Sequence, residues 1–128
     1  MVALLNDRAF MDREGVSLFT ADFVRYDRRH VTPQPPCDAE TWVGEQFVLE
    51  QLAGEWPTYE LAEVVAVRGD RLSVSRWVVH LGDVATMEFI VVAGIDEAGE
   101  RAQIGYYFDP EDVDRAIVEL DRLHAELG

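Results

Sequence analysis

The sequence predicts a single α+β domain over residues 1–128, a curved antiparallel sheet wrapped around N-terminal helices with an extra helix at the C-terminus. Three observations predict it. Four strand-like runs follow one another from Tyr59 to Phe108, separated only by short turns. Helical spacing of apolar residues occurs before and after that block and not inside it. Several runs are apolar on both parities, as in Trp77-Val78-Val79 and Phe89-Ile90-Val91-Val92, so both faces of the sheet must be covered. Helices can cover one face, and a partner subunit or a closed cavity the other.

Residues from about Ala3 to Phe19 read as helical with a break at Gly15, and Leu4, Leu5, Phe10, Met11, Val16, Leu18 and Phe19 supply an inner face. Asp22 to Arg29 reads as a short strand. Its carboxylate, Asp27, lies among Arg25, Arg28, Arg29 and His30. The prolines of Thr32-Pro33-Gln34-Pro35-Pro36 forbid regular structure and make a stiff connector. Asp38 then caps a helix to about Ala53, apolar through Trp42, Val43, Phe47, Val48, Leu49 and Leu52, and ended by Gly54 and Pro57.

The strands are Tyr59 to Arg68, Arg71 to Leu81, Thr86 to Ile95 and Arg101 to Phe108, turning at Gly69-Asp70, Gly82-Asp83 and Asp96-Glu97-Ala98-Gly99. Such short turns dictate an antiparallel meander. Asp109-Pro110-Glu111-Asp112 reads as a helix start, with Asp109 as cap and Pro110 at the first helical position. Val113, Ala116, Ile117, Leu120, Leu123 and Leu127 recur at helical spacing behind it, opposite an acidic face.

A net charge of −14 disfavours nucleic acid and anionic membrane surfaces as partners. Cys37 stands alone, so the chain has no internal disulfide and no cysteine-based metal site. His30, His80 and His124 have no local ligand spacing, and no glycine-rich phosphate loop is present, so no metal or other cofactor is expected. The start lacks the basic segment and apolar run of a signal peptide, and no stretch approaches the ~20 apolar residues of a membrane span. The protein is read as cytoplasmic.

The run Leu18-Phe19-Thr20-Ala21-Asp22-Phe23-Val24-Arg25-Tyr26-Asp27 resembles the pattern L-[YF]-A-D-D-x-x-x-x-D of the SnoaL-like and ketosteroid isomerase-like branch of the NTF2-like superfamily. Val65-Ala66-Val67-Arg68-Gly69-Asp70-Arg71-Leu72 and Tyr107-Phe108-Asp109-Pro110-Glu111-Asp112 look like segments of the same relatives. The resemblance implies a cone-shaped fold, an apolar cavity that takes a small hydrophobic molecule, and a homodimer. It spans isomerases, polyketide cyclases, dehydratases, epoxide hydrolases and non-enzymes, so the fold alone assigns no reaction. Asp27 falls where the isomerases carry their general base. Their other polar groups, a tyrosine and a protonated aspartate, have no evident match. The first tyrosine is Tyr26, and Glu88 is the one acid in Met87–Val92.

Asp27 is therefore either a general base in a dry pocket or an ion-pair partner of Arg25, Arg28 or Arg29. Arg76 and His80 lie four apart on one strand and share a face; if that face lines the cone they form a polar pair with His80 as acid or base, and otherwise His80 faces solvent at the strand end before Gly82-Asp83. Glu88 either joins them there or pairs with Arg76 or Arg101. Tyr26, Tyr59, Tyr106 and Tyr107 are candidate donors to a carbonyl, and of the adjacent Tyr106 and Tyr107 only one faces inward. A ligand in the cone would meet Trp42, Phe47, Trp77, Phe89 and Tyr106. Two function classes follow. One is a cofactor-free isomerase, cyclase, dehydratase or hydrolase that uses Asp27 with Arg76, His80, Glu88 and Tyr26. The other is a non-catalytic domain that binds an apolar ligand or dimerises around a filled cone.

Overall fold

The computed structural model describes residues 1–30 and 33–127. Thr32, the first residue of the proline-rich connector, lies outside them. The elements run α1 (Val2–Leu5), α2 (Arg8–Glu14), a single 3₁₀ turn (Gly15–Leu18), β1 (Phe19–Asp27), α3 (Ala39–Ala53), β2 (Thr58–Arg68), β3 (Leu72–Leu81), β4 (Ala85–Ile95), β5 (Ala102–Phe108) and α4 (Val113–Leu127). One five-stranded sheet has the order β1-β5-β4-β3-β2. The last four strands form the antiparallel meander, and β1 pairs parallel to β5 at the far edge, Tyr26 opposite Tyr106 and Asp27 opposite Tyr107.

The sequence places three boundaries differently. The N-terminal helical stretch is three short pieces, because the Asp7 carboxylate accepts from the Phe10 amide and restarts the helix after α1. Strand β1 runs from Phe19 to Asp27 rather than from Asp22 to Arg29. Helix α4 begins one turn after Asp109: the Asp112 amide donates to the Asp109 carbonyl in a separate turn, and the Ala116 amide then donates to the Asp112 carbonyl. The tight turns fall where expected, with Gly69 at φ +59° and Gly82 at φ +53°, angles that suit glycine.

Each face of the sheet carries its own core. On the concave face, α1, α2 and α3 bury Leu5, Met11, Trp42 and Val43 against Phe19, Phe23, Tyr59, Val79, Leu81 and Phe89. On the other face, Ala116, Leu120 and Leu123 of α4 pack on Leu72, Val74, Ile90, Val92, Tyr106 and Phe108. Helix α4 therefore covers much of the second apolar face, which the sequence left to a partner subunit or cavity. Alternation along β3 and β4 follows: Trp77, Val79, Phe89 and Val91 face inward to the first core, and Val74, Ile90 and Val92 face α4.

Candidate functional site: two chambers on the concave face

The concave face is not fully packed. One chamber of about 300 Å³ lies against the inward residues of the sheet. Phe19, Phe23, Trp77, Phe89 and Val91 make its walls, and Ser73 and Ser75 add hydroxyls. A second chamber of about 430 Å³ lies toward α3 and takes in Arg25, Arg29, Glu45, Gln46, Leu49 and Met87. Both volumes fall in the roughly 300–1,000 Å³ range of small-molecule sites. Trp42, Tyr59, Phe89 and Tyr107 line both chambers and form the wall between them.

That wall is polar at its centre. The Trp42 indole N–H donates to the Tyr107 hydroxyl at 2.8 Å. The Tyr59 hydroxyl donates to the Gln46 side-chain oxygen, and the Gln46 amide donates to the Trp42 carbonyl at 3.1 Å. Gln46 sits one helical turn after Trp42 and so projects from the same face of α3. Burial pushes the Tyr107 hydroxyl up to about 12, partly offset by the Trp42 hydrogen bond, and burial also raises Tyr59. Both phenols therefore stay protonated at neutral pH. Tyr107 accepts from Trp42, and among the described residues its own hydrogen has no acceptor.

Beside the second chamber, Arg25 is 3% exposed and grips Glu45 at both oxygens, at 2.9 and 3.2 Å, with its guanidinium over the Tyr107 ring at 5.5 Å. Asp27 is sealed from solvent and accepts four hydrogen bonds. The Arg29 amide and Nε reach one oxygen at 3.1 and 2.9 Å, and the Arg29 Nη2 and the Gln34 amide reach the other at 2.6 and 3.0 Å. Burial alone would raise this carboxyl. The Arg29 guanidinium and the two amides outweigh burial and hold it below the ordinary aspartate value.

By sequence the chain matches no protein-family model and no curated protein. In three dimensions it is similar to a protein of unknown function with a cystatin-like fold from Methylobium petroleophilum, with a TM-score of 0.65 at 13% identity over 84% of this chain and 68% of that one. It is similar to IdmH of Streptomyces antibioticus, a candidate polyketide cyclase, with a TM-score of 0.56 at 18% identity over 83% of this chain and 86% of that one. An NTF2-like protein of unknown function from Shewanella oneidensis aligns over 84% of this chain and 89% of its own, with a TM-score of 0.50 at 8% identity. This chain has the NTF2-like fold.

Within the NTF2-like cone, the sequence-predicted residues separate into two groups. Trp42, Trp77 and Phe89 line the first chamber. Arg76, His80 and Glu88 lie on the other face of the sheet, the one that carries Val74, Ile90 and Val92. There Arg76 pairs with Glu88 at 2.9 Å, and His80 approaches Glu60 and Thr86 at 3.3 and 3.5 Å. These three do not share a cavity with Asp27. Tyr26 and Tyr106 stack on each other at 4.8 Å on the α4 side, so of the adjacent tyrosines it is Tyr107 that turns inward. Phe47 packs edge-on against Trp56 outside both chambers. Asp27 lines neither chamber, and of the three arginines near it in sequence it pairs with Arg29.

Sequence reasoning missed Gln46, Ser75 and the Arg25–Glu45 pair. A polar residue one turn from Trp42 on an apolar helix face was the available signal for Gln46. His30, Asp109 and Asp112 gather their ligand atoms within 4.8 Å, the one such group among the described residues. Arg115 Nη1 lies 3.0 Å from both His30 Nε2 and Asp112 Oδ2, so a fixed positive charge already serves that carboxylate. No described helix is long and apolar enough to cross a membrane.

Proposed function

We propose that this NTF2-like domain binds a small amphipathic molecule, its apolar body in the aromatic chamber and a carbonyl or hydroxyl oxygen at Tyr107. The observation that carries this reading is the Tyr107 hydroxyl. It is held in place by Trp42, kept protonated by burial, and has a hydrogen to give where the apolar chamber meets the polar one. A buried donor of this kind discriminates ligands by the oxygen they present, because an unmatched polar group in a dry site costs about 1–3 kcal/mol. The wholly apolar part of the chamber supplies affinity through area, with little direction.

Fluorescent N-phenyl-1-naphthylamine tests the reading. It should enter the chamber saturably and be displaced by cyclic ketones. Tyr107→Phe should weaken the ketones about five- to tenfold and leave the naphthylamine within twofold. No saturable uptake of the probe, or an equal loss of probe and ketone in the variant, would sink it.

A second reading makes the cavity a reaction chamber for a cofactor-independent isomerase, cyclase, dehydratase or hydrolase. The likeness to IdmH favours it. The surroundings of Asp27 do not favour that residue as its base, since four donors occupy the lone pairs a proton would need. Asp27→Asn tests Asp27 as that base. Ligand binding should persist in the variant, whereas a base mechanism requires turnover to vanish.

A further inference from the structure

On the opposite face of the sheet from the ligand chambers, a cleft of about 400 Å³ opens between the end of β5 and α4, lined by Arg28, Phe108, Arg115, Val118, Glu119 and Arg122. Three of the eleven basic residues of a chain with net charge −14 meet there. Two of them are committed. Arg115 pairs with Asp112 at 3.0 Å and lies over the Phe108 ring. Arg122 is clamped by Glu119 at 2.7 and 2.9 Å, reaches Glu126 at 2.6 Å and donates to the Tyr106 hydroxyl at 3.1 Å.

Arg28 differs from both. Its guanidinium rests over the stacked Tyr26 and Tyr106 rings at 5.3 and 5.4 Å, and among the described residues it has neither an ion pair nor a side-chain hydrogen bond. The tyrosine pair orients the guanidinium without using its N–H groups. An oriented, uncommitted arginine beside two further guanidiniums, in an otherwise acidic molecule, has the chemistry of an oxyanion receptor.

We propose that this cleft binds a small organic or inorganic oxyanion, a carboxylate or a phosphate, with Arg28 as the primary donor and Arg122 as the secondary one. Glu119 is the internal competitor, because it occupies the Arg122 donors an anion would otherwise use.

Sodium benzoate and inorganic phosphate, titrated separately into isotope-labelled protein, supply the test. Backbone amide shifts of Arg28, Arg115, Val118 and Glu119 should move saturably with at least one of the two anions, and the anion that moves them identifies its class. Shifts confined to the concave chambers would overturn the assignment. Arg28→Gln, an exposed substitution, should weaken binding about tenfold or more. Glu119→Gln should tighten it severalfold by releasing Arg122. Saturation by neither anion, or an Arg28→Gln variant that binds as tightly as the parent, would overturn the site.

Discussion

At the scale of single residues, Asp27 shows how much the neighbourhood of a carboxylate decides. A buried carboxylate with a free lone pair can take a proton, and the same group with four donors holds a loop in place. Asp27 joins the end of β1 to Arg29 just before the connector and to Gln34 within it. Asp27→Asn leaves the Arg29 guanidinium half-buried without its counter-charge and should lower stability by about 2–4 kcal/mol at neutral pH in urea denaturation. The pH dependence has a defined sign. The folded-state pKa lies below the unfolded value, so the stabilisation is complete above the ordinary aspartate range and disappears as pH falls through the folded value. The gap between parent and variant should stay constant from about pH 6 to 8 and narrow below about pH 4. A gap that widens on acidification would contradict this account.

Among the elements, α4 sets the shape of the molecule. Leu120 has no exposed surface and sits between β3 and β4 side chains. Leu120→Ala should cost about 2–5 kcal/mol by calorimetry or denaturant titration, and Val118→Ala, on the exposed side of the same helix, should cost little. The role of α4 also explains what could be read from sequence. Turn dipeptides and strand runs made the meander legible nearly to the residue, because those signals are local. Shared faces were legible too: Arg76 and His80 do share one, each with its own partners. Alternation, however, says which residues share a face and not which face a helix will cover. Helix α4 on one side and α1 to α3 on the other decide that, and these are contacts between distant parts of the chain. The same limit applied to Tyr106 and Tyr107. Adjacent strand residues must point apart, and only the position of α4 determines which of them reaches the cavity.

The whole molecule carries its charge unevenly. Its −14 is spread over the surface, while Arg28, Arg115 and Arg122 cluster at one cleft. Like charges repel across a compact body, and salt screens that repulsion over about 10 Å at 0.1 M. The exposed ion pairs contribute little each, so screening them loses little. The melting temperature should therefore rise between low salt and 0.5 M sodium chloride at neutral pH, and a fall would mean that ion pairs outweigh the net charge. The concave-face chambers and the arginine cleft lie on opposite faces of the sheet, so a molecule in one would leave the other open to solvent.

The parallel pairing of β1 with β5 has a consequence in time. The meander grows by adding neighbours, each strand folding back on the one just made, whereas β1 must wait for a strand near the other end of the chain. Phe19 and Phe23 lie on β1, so the wall they give the first chamber depends on that long-range pairing. Substitutions in β1 should accordingly speed unfolding more than they slow folding in stopped-flow measurements.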